Sequence, residues 1–263
     1  MTMRASDVPY PWIRRELVFR GDIRRGQKGA RVRLVQEMAT LAGFATAIDG
    51  AFGPATAEVV RRVQAANDVA ATGVVDDRTF TALIRPLLRA LTPIEGFRGG
   101  YGELVLAYAR RHLAEHPREV GGENCGPWVR LYMEGFEGTD WPWCAGFVCF
   151  LLRQAADTSD ATMPFRRTFS CDVLAERAKN ARLFRSERQL DQDDPARSGL
   201  APGSIFLVRR TAHDWTHTGI VSECRPDTFG TIEGNTNDAG HREGYEVCAR
   251  VRGYAKRDFV VYD

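Results

Sequence analysis

HTGIVSECRPDTFGTIEGNTN, residues 217–237, decides the fold. It holds two short runs rich in Val, Ile and Phe, HTGIVSE and TFGTIEG, punctuated by Gly, Asp and Asn. Such runs read as strands of an antiparallel sheet. SIFLVRR before them and YEVCARVR and DFVVYD after them continue the pattern. The segment upstream has a different period. In YGELVLAYARRHLAEH, residues Leu104, Ala107, Tyr108 and His112 share one helical side. PWVRLYMEG reads as a second, short helix. WCAGFVCFLLRQA is apolar nearly all round and therefore reads as a buried helix. SCDVLAERAKNARLF gives a fourth. Helices first and strands afterwards predict an α+β fold for this half.

The same stretch supplies polar residues. His217 opens the first strand, so its ring can project from the sheet edge. Glu233 and Asn235 end the second run and alternate so as to share one strand face. If the two strands are hairpin neighbours, Glu233 comes alongside His217. A carboxylate or amide there would fix the imidazole tautomer and stabilise the imidazolium. His112 and His116 lie on the first helix of this half. His213 precedes the strand, and His241 sits beside Asp238 and Arg242. His213 and His217 are four apart, the spacing of a metal pair on a helix, but DWTHTGIV reads as a strand. Neither a metal nor a cofactor is expected.

Six cysteines, at 125, 144, 149, 171, 224 and 248, all lie beyond the first 124 residues. No CxxC pair occurs, and free thiols are expected. Cys144 follows Pro142 and directly precedes AGFVCFLLRQA, so it falls at a helix start, where a thiolate is favoured. Cys149 reads as core. Cys125, ahead of Pro127, also stands near a helix start, and local chemistry leaves both Cys125 and Cys144 open as nucleophile. Cys171 opens a further helix with no nearby feature of a cleft. Cys224 and Cys248 read as packing residues on strands.

The chain has 263 residues, enough for one or two domains, with 44% hydrophobic and 27% charged residues. A net charge of +2 gives no strong pull toward nucleic acid. Arginines 14, 15, 20, 24, 25, 31 and 33 give the N-terminal segment a basic face. No apolar run is long enough to span a membrane. The opening MTMRASDVPYPWIRRELVFRGD lacks the apolar core and cleavage site of a secretory signal.

The first half carries an internal repeat. DGAFGPAT (49–56) is echoed by TGVVDDRT (72–79), with Gly50 matching Gly73 and Thr56 matching Thr79. Helix-like patterns follow each, AEVVRRVQAA and FTALIRPLL. ARVRLVQEMATLAGF precedes the first, with Val32, Val35, Met38, Ala39 and Ala42 on one stripe. The glycines supply turns, and Thr56 and Thr79 are placed to cap the helices. A three-helix unit over 22–90 is expected, then a Pro/Gly linker LTPIEGFRGG (91–100), then a second domain over 101–263.

On Gly29, Gln36, Asp49, Gly50, Phe52, Gly53, Thr56, Gln64, Gly73, Asp76 and Thr79, the first unit resembles the peptidoglycan-binding domains fused to bacterial cell-wall hydrolases. On PWCAGFV, APGSIFLV, HTGIV and IEGNTN, the second resembles CHAP-type cysteine amidohydrolase/peptidase domains, related to the NlpC/P60 papain-like fold. It departs from that pattern at Ser204, where the family usually has Asp. The resemblance implies Cys144 as nucleophile, His217 as base, Glu233 as its orienter and Asn235 as an additional polar member. It implies a monomeric peptidoglycan hydrolase, either a phage endolysin or a delivered antibacterial effector with an immunity partner. Such a protein is made in the cytoplasm and acts on the wall. A wall-binding protein that retains the fold without catalysis is the other expectation.

Overall fold

The computed structural model describes residues 2–190, 199–237 and 244–262; His241, with Asp238 and Arg242, lies outside them. Among the described residues the helices are α1 (Pro11–Leu17), α2 (Ala30–Leu41), α3 (Pro54–Ala66), α4 (Asp77–Leu91), α5 (Tyr101–Ala114), α6 (Pro127–Tyr132), α7 (Cys144–Ser159) and α8 (Cys171–Asn180). The strands are β1 (Phe184–Arg185), β2 (Ile205–Thr211), β3 (Asp214–Cys224), β4 (Thr228–Thr236), β5 (Glu246–Gly253) and β6 (Arg257–Val260). The protein is α+β. Among the described residues, no helix is long and apolar enough to cross a membrane.

The chain forms two compact units. One comprises Met1–Thr92 with Arg118–Gly138, and the other Pro93–Pro117 with Thr139–Asp263. The division at Thr92 falls within the stretch read as a linker. Residues 118–138, which the sequence reading kept with the second half, pack with the first.

The first unit is helical. Helices α2, α3 and α4 bury Val32, Val35, Val60, Val63, Phe80, Leu83 and Leu87 against one another. The sequence repeat has a polar counterpart inside this core. Gln36 Nε2 donates to Asp49 Oδ1 at 2.8 Å and to Thr56 Oγ1 at 3.2 Å, while its Oε1 accepts the Gly50 N–H at 2.8 Å. Gln64 does the same one turn-motif later. Its Nε2 donates to Val74 O at 2.8 Å and Thr79 Oγ1 at 3.0 Å, and its Oε1 accepts the Gly73 N–H at 2.9 Å. Each buried glutamine thus satisfies the backbone of the turn that follows its own helix, where burial without partners would be costly. This corrects the expected caps. The N-cap residues are Gly53 and Asp76, and it is the Asp76 carboxylate that accepts the Thr79 N–H. Thr56 and Thr79 lie three residues further in, where their hydroxyls accept from the glutamines.

Arg130 on α6 ties the 118–138 segment into this unit. Its guanidinium contacts Glu16 at 2.9 Å, Glu37 at 2.7 Å and Glu137 at 2.7 Å, and the Glu37 side chain is fully buried. Arg15, Arg20, Arg31 and Arg33 from the basic N-terminal segment line a neighbouring cavity of about 500 Å³, together with Leu34 and Phe80.

The second unit is built on one antiparallel sheet in the order β1-β6-β2-β3-β4-β5. Strands β3 and β4 are hairpin neighbours, with Ile220 opposite Ile232. Helices α5, α7 and α8 pack on β3 and its neighbours. Phe206, Val221, Phe229 and Phe259 join Leu190, Leu200 and Val261 in a buried cluster. Strand β5 inverts the usual alternation. Val251 is 59% exposed, whereas Arg250 and Arg252 turn inward.

Candidate functional site

Two helix starts and two strands converge in the second unit. Cys144 is the first residue of α7, and no side chain caps that helix. The first-turn N–H groups are therefore left for other partners, and the Ala145 N–H turns to the Cys144 sulfur. Trp143, fully buried, donates its backbone N–H to Asn235 Oδ1 at 3.2 Å, and Asn235 Nδ2 donates to Gly244 O at 2.7 Å. Asn235 itself has a left-handed backbone, φ 54°, where the β4–β5 register shifts. That break removes the alternation expected between residues 233 and 235. Asn235 holds the start of α7, while Glu233 reaches the histidine.

His217 Nε2 donates to Glu233 Oε2 at 2.8 Å, which leaves Nδ1 as the ring nitrogen for a second partner, and the Cys144 thiol is near enough to the ring for each to shift the other's pKa. Two glycines make this convergence possible. A Cβ at Gly219 would come within 2.9 Å of Glu233 Cγ and 2.7 Å of the Phe206 ring, so only glycine lets Glu233 pass across β3 toward His217. A Cβ at Gly234 would meet Phe147 and Trp143 at 2.8 Å, so glycine lets β4 approach the start of α7.

Glu233 is fully buried but not alone. Arg252 Nε donates to its Oε1 and Nη2 to its Oε2, both at 2.5 Å, and Thr231 Oγ1 donates to Oε1 at 2.5 Å. The Arg252 guanidinium also lies over the Phe206 ring, 5.3 Å from its centre. Burial works against the Glu233 carboxylate, yet the Arg252 and His217 hydrogen bonds prevail and hold its pKa down at about 2. Burial likewise disfavours a charged His217, but its bonds to Cys144 and Glu233 raise it to about 9. Cys144 is held well below the usual thiol range. The Cys171 hydrogen bond contributes most; burial opposes it, and the imidazole and the Ala145 N–H add to it. Together these shifts favour a thiolate–imidazolium pair at neutral pH.

Cys171, read from sequence as remote from any cleft, is a neighbour. Its sulfur stands 3.7 Å from that of Cys144. It is the first residue of α8, whose start is fixed by the Ser170 cap and by Asp172 Oδ1 accepting the Trp215 N–H at 2.6 Å. The neighbouring Cys144 sulfur, then burial, push the Cys171 thiol upward, so Cys171 keeps its proton and donates toward Cys144.

The other candidates go elsewhere. Cys125 belongs to the first unit, where burial and then Glu137 push its thiol up. Cys149 is core, raised to about 11 by burial, with its sulfur accepting the Thr168 N–H at 3.4 Å. His112 is fully buried against Gln154 Oε1 at 2.8 Å, and burial lowers its pKa to about 4. His116 and His213 are exposed. No group of three or more metal-type ligands occurs among the described residues.

Sequence reasoning missed Arg252, Thr231 and Cys171. Period-two reading of YEVCARVR aligns Arg250 with Arg252, but the same pattern gives no reason to bury arginines and expose Val251. Cys171 lies 27 residues from Cys144, and nothing local joins them.

Residues 28–83 match the protein family described as "Putative peptidoglycan binding domain". That match supports a peptidoglycan-binding domain over these residues and an association of the protein with the cell wall. No curated protein sequence matches the chain at a significant level.

Proposed function

We propose that the protein is a modular peptidoglycan hydrolase whose second unit, with a CHAP-type papain-like fold, cleaves an amide bond of the cell wall through Cys144. One observation carries this reading. A buried imidazole, 2.8 Å from a buried carboxylate through Nε2, interacts with a thiol at a helix start that is itself held well below the usual thiol range. Cysteine hydrolysis needs those three parts in that order: nucleophile, base and orienting group.

In the proposed reaction the Cys144 thiolate attacks the amide carbonyl carbon. The oxyanion of the tetrahedral intermediate accepts from the Cys144 backbone N–H at the uncapped start of α7. The His217 imidazolium gives its proton to the leaving amine, and the C–N bond breaks to leave a thioester on Cys144. His217, now neutral, takes a proton from water as that water attacks the thioester. The carboxylate product then leaves, and the thiolate–imidazolium pair is restored. Glu233 stays ionised throughout, held by Arg252 and Thr231. The peptidoglycan-binding domain keeps the chain on the wall and raises the local concentration of scissile bonds. A phage endolysin and a delivered antibacterial effector would both use this chemistry.

The test is digestion of purified peptidoglycan by the wild-type chain and by Cys144→Ala, with released fragments read by mass spectrometry. Wild type should free new amine termini, and their masses identify the bond as muramoyl–L-alanine, stem-peptide or cross-bridge. Cys144→Ala should release none, yet still sediment with the sacculi. A wild-type chain that sediments but frees no amine would leave only the wall-binding function.

A further inference from the structure

We propose that Cys144 and Cys171 form an oxidative modification site, in which Cys171 resolves an oxidised Cys144 into a reversible disulfide. The two sulfurs are 3.7 Å apart, and both residues are the first of their helices. A disulfide needs the sulfurs at about 2.05 Å, a closure that side-chain rotation supplies when the β-carbons already converge. The backbone on either side is held in place, by Asn235 on Trp143 and by Asp172 on Trp215, so the two thiols stay within reach.

Access selects the reagent. Cys144 is 6% exposed and Cys171 8%, so the natural oxidant is a small hydroperoxide. The alternatives are poorer. Cys149 is 3% exposed, with its sulfur engaged by the Thr168 N–H, and Cys125 lies in the other unit.

The chemistry balances with a hydroperoxide as the two-electron oxidant. The Cys144 thiolate attacks the terminal peroxide oxygen, and the O–O bond breaks to give the sulfenic acid and an alkoxide or hydroxide that takes up a proton. The Cys171 thiol then attacks the sulfenic sulfur, the S–O bond breaks, and water leaves as the S–S bond forms. A dithiol reverses the step by exchange. Without Cys171, the sulfenic acid would go on to sulfinic acid, which dithiols do not reverse. The disulfide would therefore both occupy the nucleophile and protect it while the protein is in an oxidising compartment. The accompanying loss of hydrolysis rests on the proposed function; the cross-link itself does not.

The experiment treats the fully reduced, full-length chain with a small excess of hydrogen peroxide, followed by intact mass, thiol titration and non-reducing peptide mapping. The expected result is a fall of about 2 Da, a drop from six free thiols to four, and a peptide joining Cys144 to Cys171. Dithiothreitol should restore all six. Cys171→Ser, or Cys171→Ala if the serine variant melts early, should instead gain about 32 Da on the Cys144 peptide, irreversibly. Oxygen gain at Cys144 in the wild type without the linked peptide, or a link between any other pair, overturns the proposal. A cross-link in a chain that released no wall fragments before oxidation would uphold this proposal and remove the hydrolase reading. Wall release that stops with the cross-link and returns with dithiothreitol supports both.

Discussion

Each unit sets a largely buried arginine against carboxylate, three in one and one in the other, and the two clusters end differently. In the first, Arg130 meets Glu16, Glu37 and Glu137, and Arg33 meets Glu37 and Glu137 as well. The cluster closes in ion pairs and holds residues 118–138 to the helices. In the second, Arg252 meets Glu233, and the chain runs on through His217 to the Cys144 thiol. Its far end is the imidazole–thiol pair, two groups that can exchange a proton. The same electrostatic device is structural where it closes and chemically usable where it ends on titratable groups. The difference lies in which residues complete the cluster, not in the depth of burial.

The sharpest way to break the comparison is to cut the second chain at its reactive end. His217→Ala should lower wall hydrolysis by at least about 10³-fold, and the Cys144→Ala/His217→Ala double variant should lose no more than Cys144→Ala alone, because the residues act as a unit. Additive losses would mean that the imidazole does not serve the thiol.

Cutting the first cluster should act on stability alone. Arg130→Ala takes the nearest cation from the largely buried Glu16 and leaves Glu37 with Arg33 alone, and should destabilise the first unit by about 3–5 kcal/mol. Denaturant unfolding of the full chain measures it, and fragment release at low temperature by the surviving folded fraction should be unchanged per molecule. A stable Arg130→Ala with impaired hydrolysis would erase the distinction between the clusters.

Arg252→Gln separates position from charge. It should cost about 10²-fold in hydrolysis, a general acid–base share, and narrow the pH profile. Losing the guanidinium raises the Glu233 pKa from about 2, so the acid limb moves up. A less ionised Glu233 supports the imidazolium less, so the basic limb, set by His217 at about 9, moves down. Stability follows the same signs. The raised His217 contributes fully below its unfolded pKa, and that stability is lost as pH rises through about 9. The lowered Glu233 contributes above its unfolded pKa, and that stability is lost as pH falls through about 2. A pH profile that keeps its width in Arg252→Gln would reduce the arginine to packing.

The smallest expected effect lies in the repeated glutamines. Gln36→Ala or Gln64→Ala strands a buried turn N–H and should cost about 1–3 kcal/mol each. Because each serves its own turn, the double variant should be close to additive. Strong coupling between them would show one network instead of two.

The site was legible as far as local pattern reached. A proline followed by an apolar helix marked Cys144, and two strands joined by a short turn put Glu233 beside His217. Asn235 was expected to share that face, but the left-handed backbone at 235 sends its amide to the Trp143 N–H. Thr56 and Thr79 looked like caps because threonine favours that place, yet Gly53 and Asp76 hold it while the hydroxyls accept from glutamines a helix away.

The sequence by itself determined the helical first unit, the helix-then-strand order of the second, and the candidates Cys144, His217 and Glu233. Hydrophobic period and turn chemistry are short-range, and these features span only a few residues each. Only the tertiary structure decided which cation pairs with Glu233, and that Cys171 stands 3.7 Å from Cys144. Those outcomes depend on strand order, on two glycines that allow close approach, and on burial, which sets the charge of every group in the cluster. None of them leaves a periodic trace along the chain.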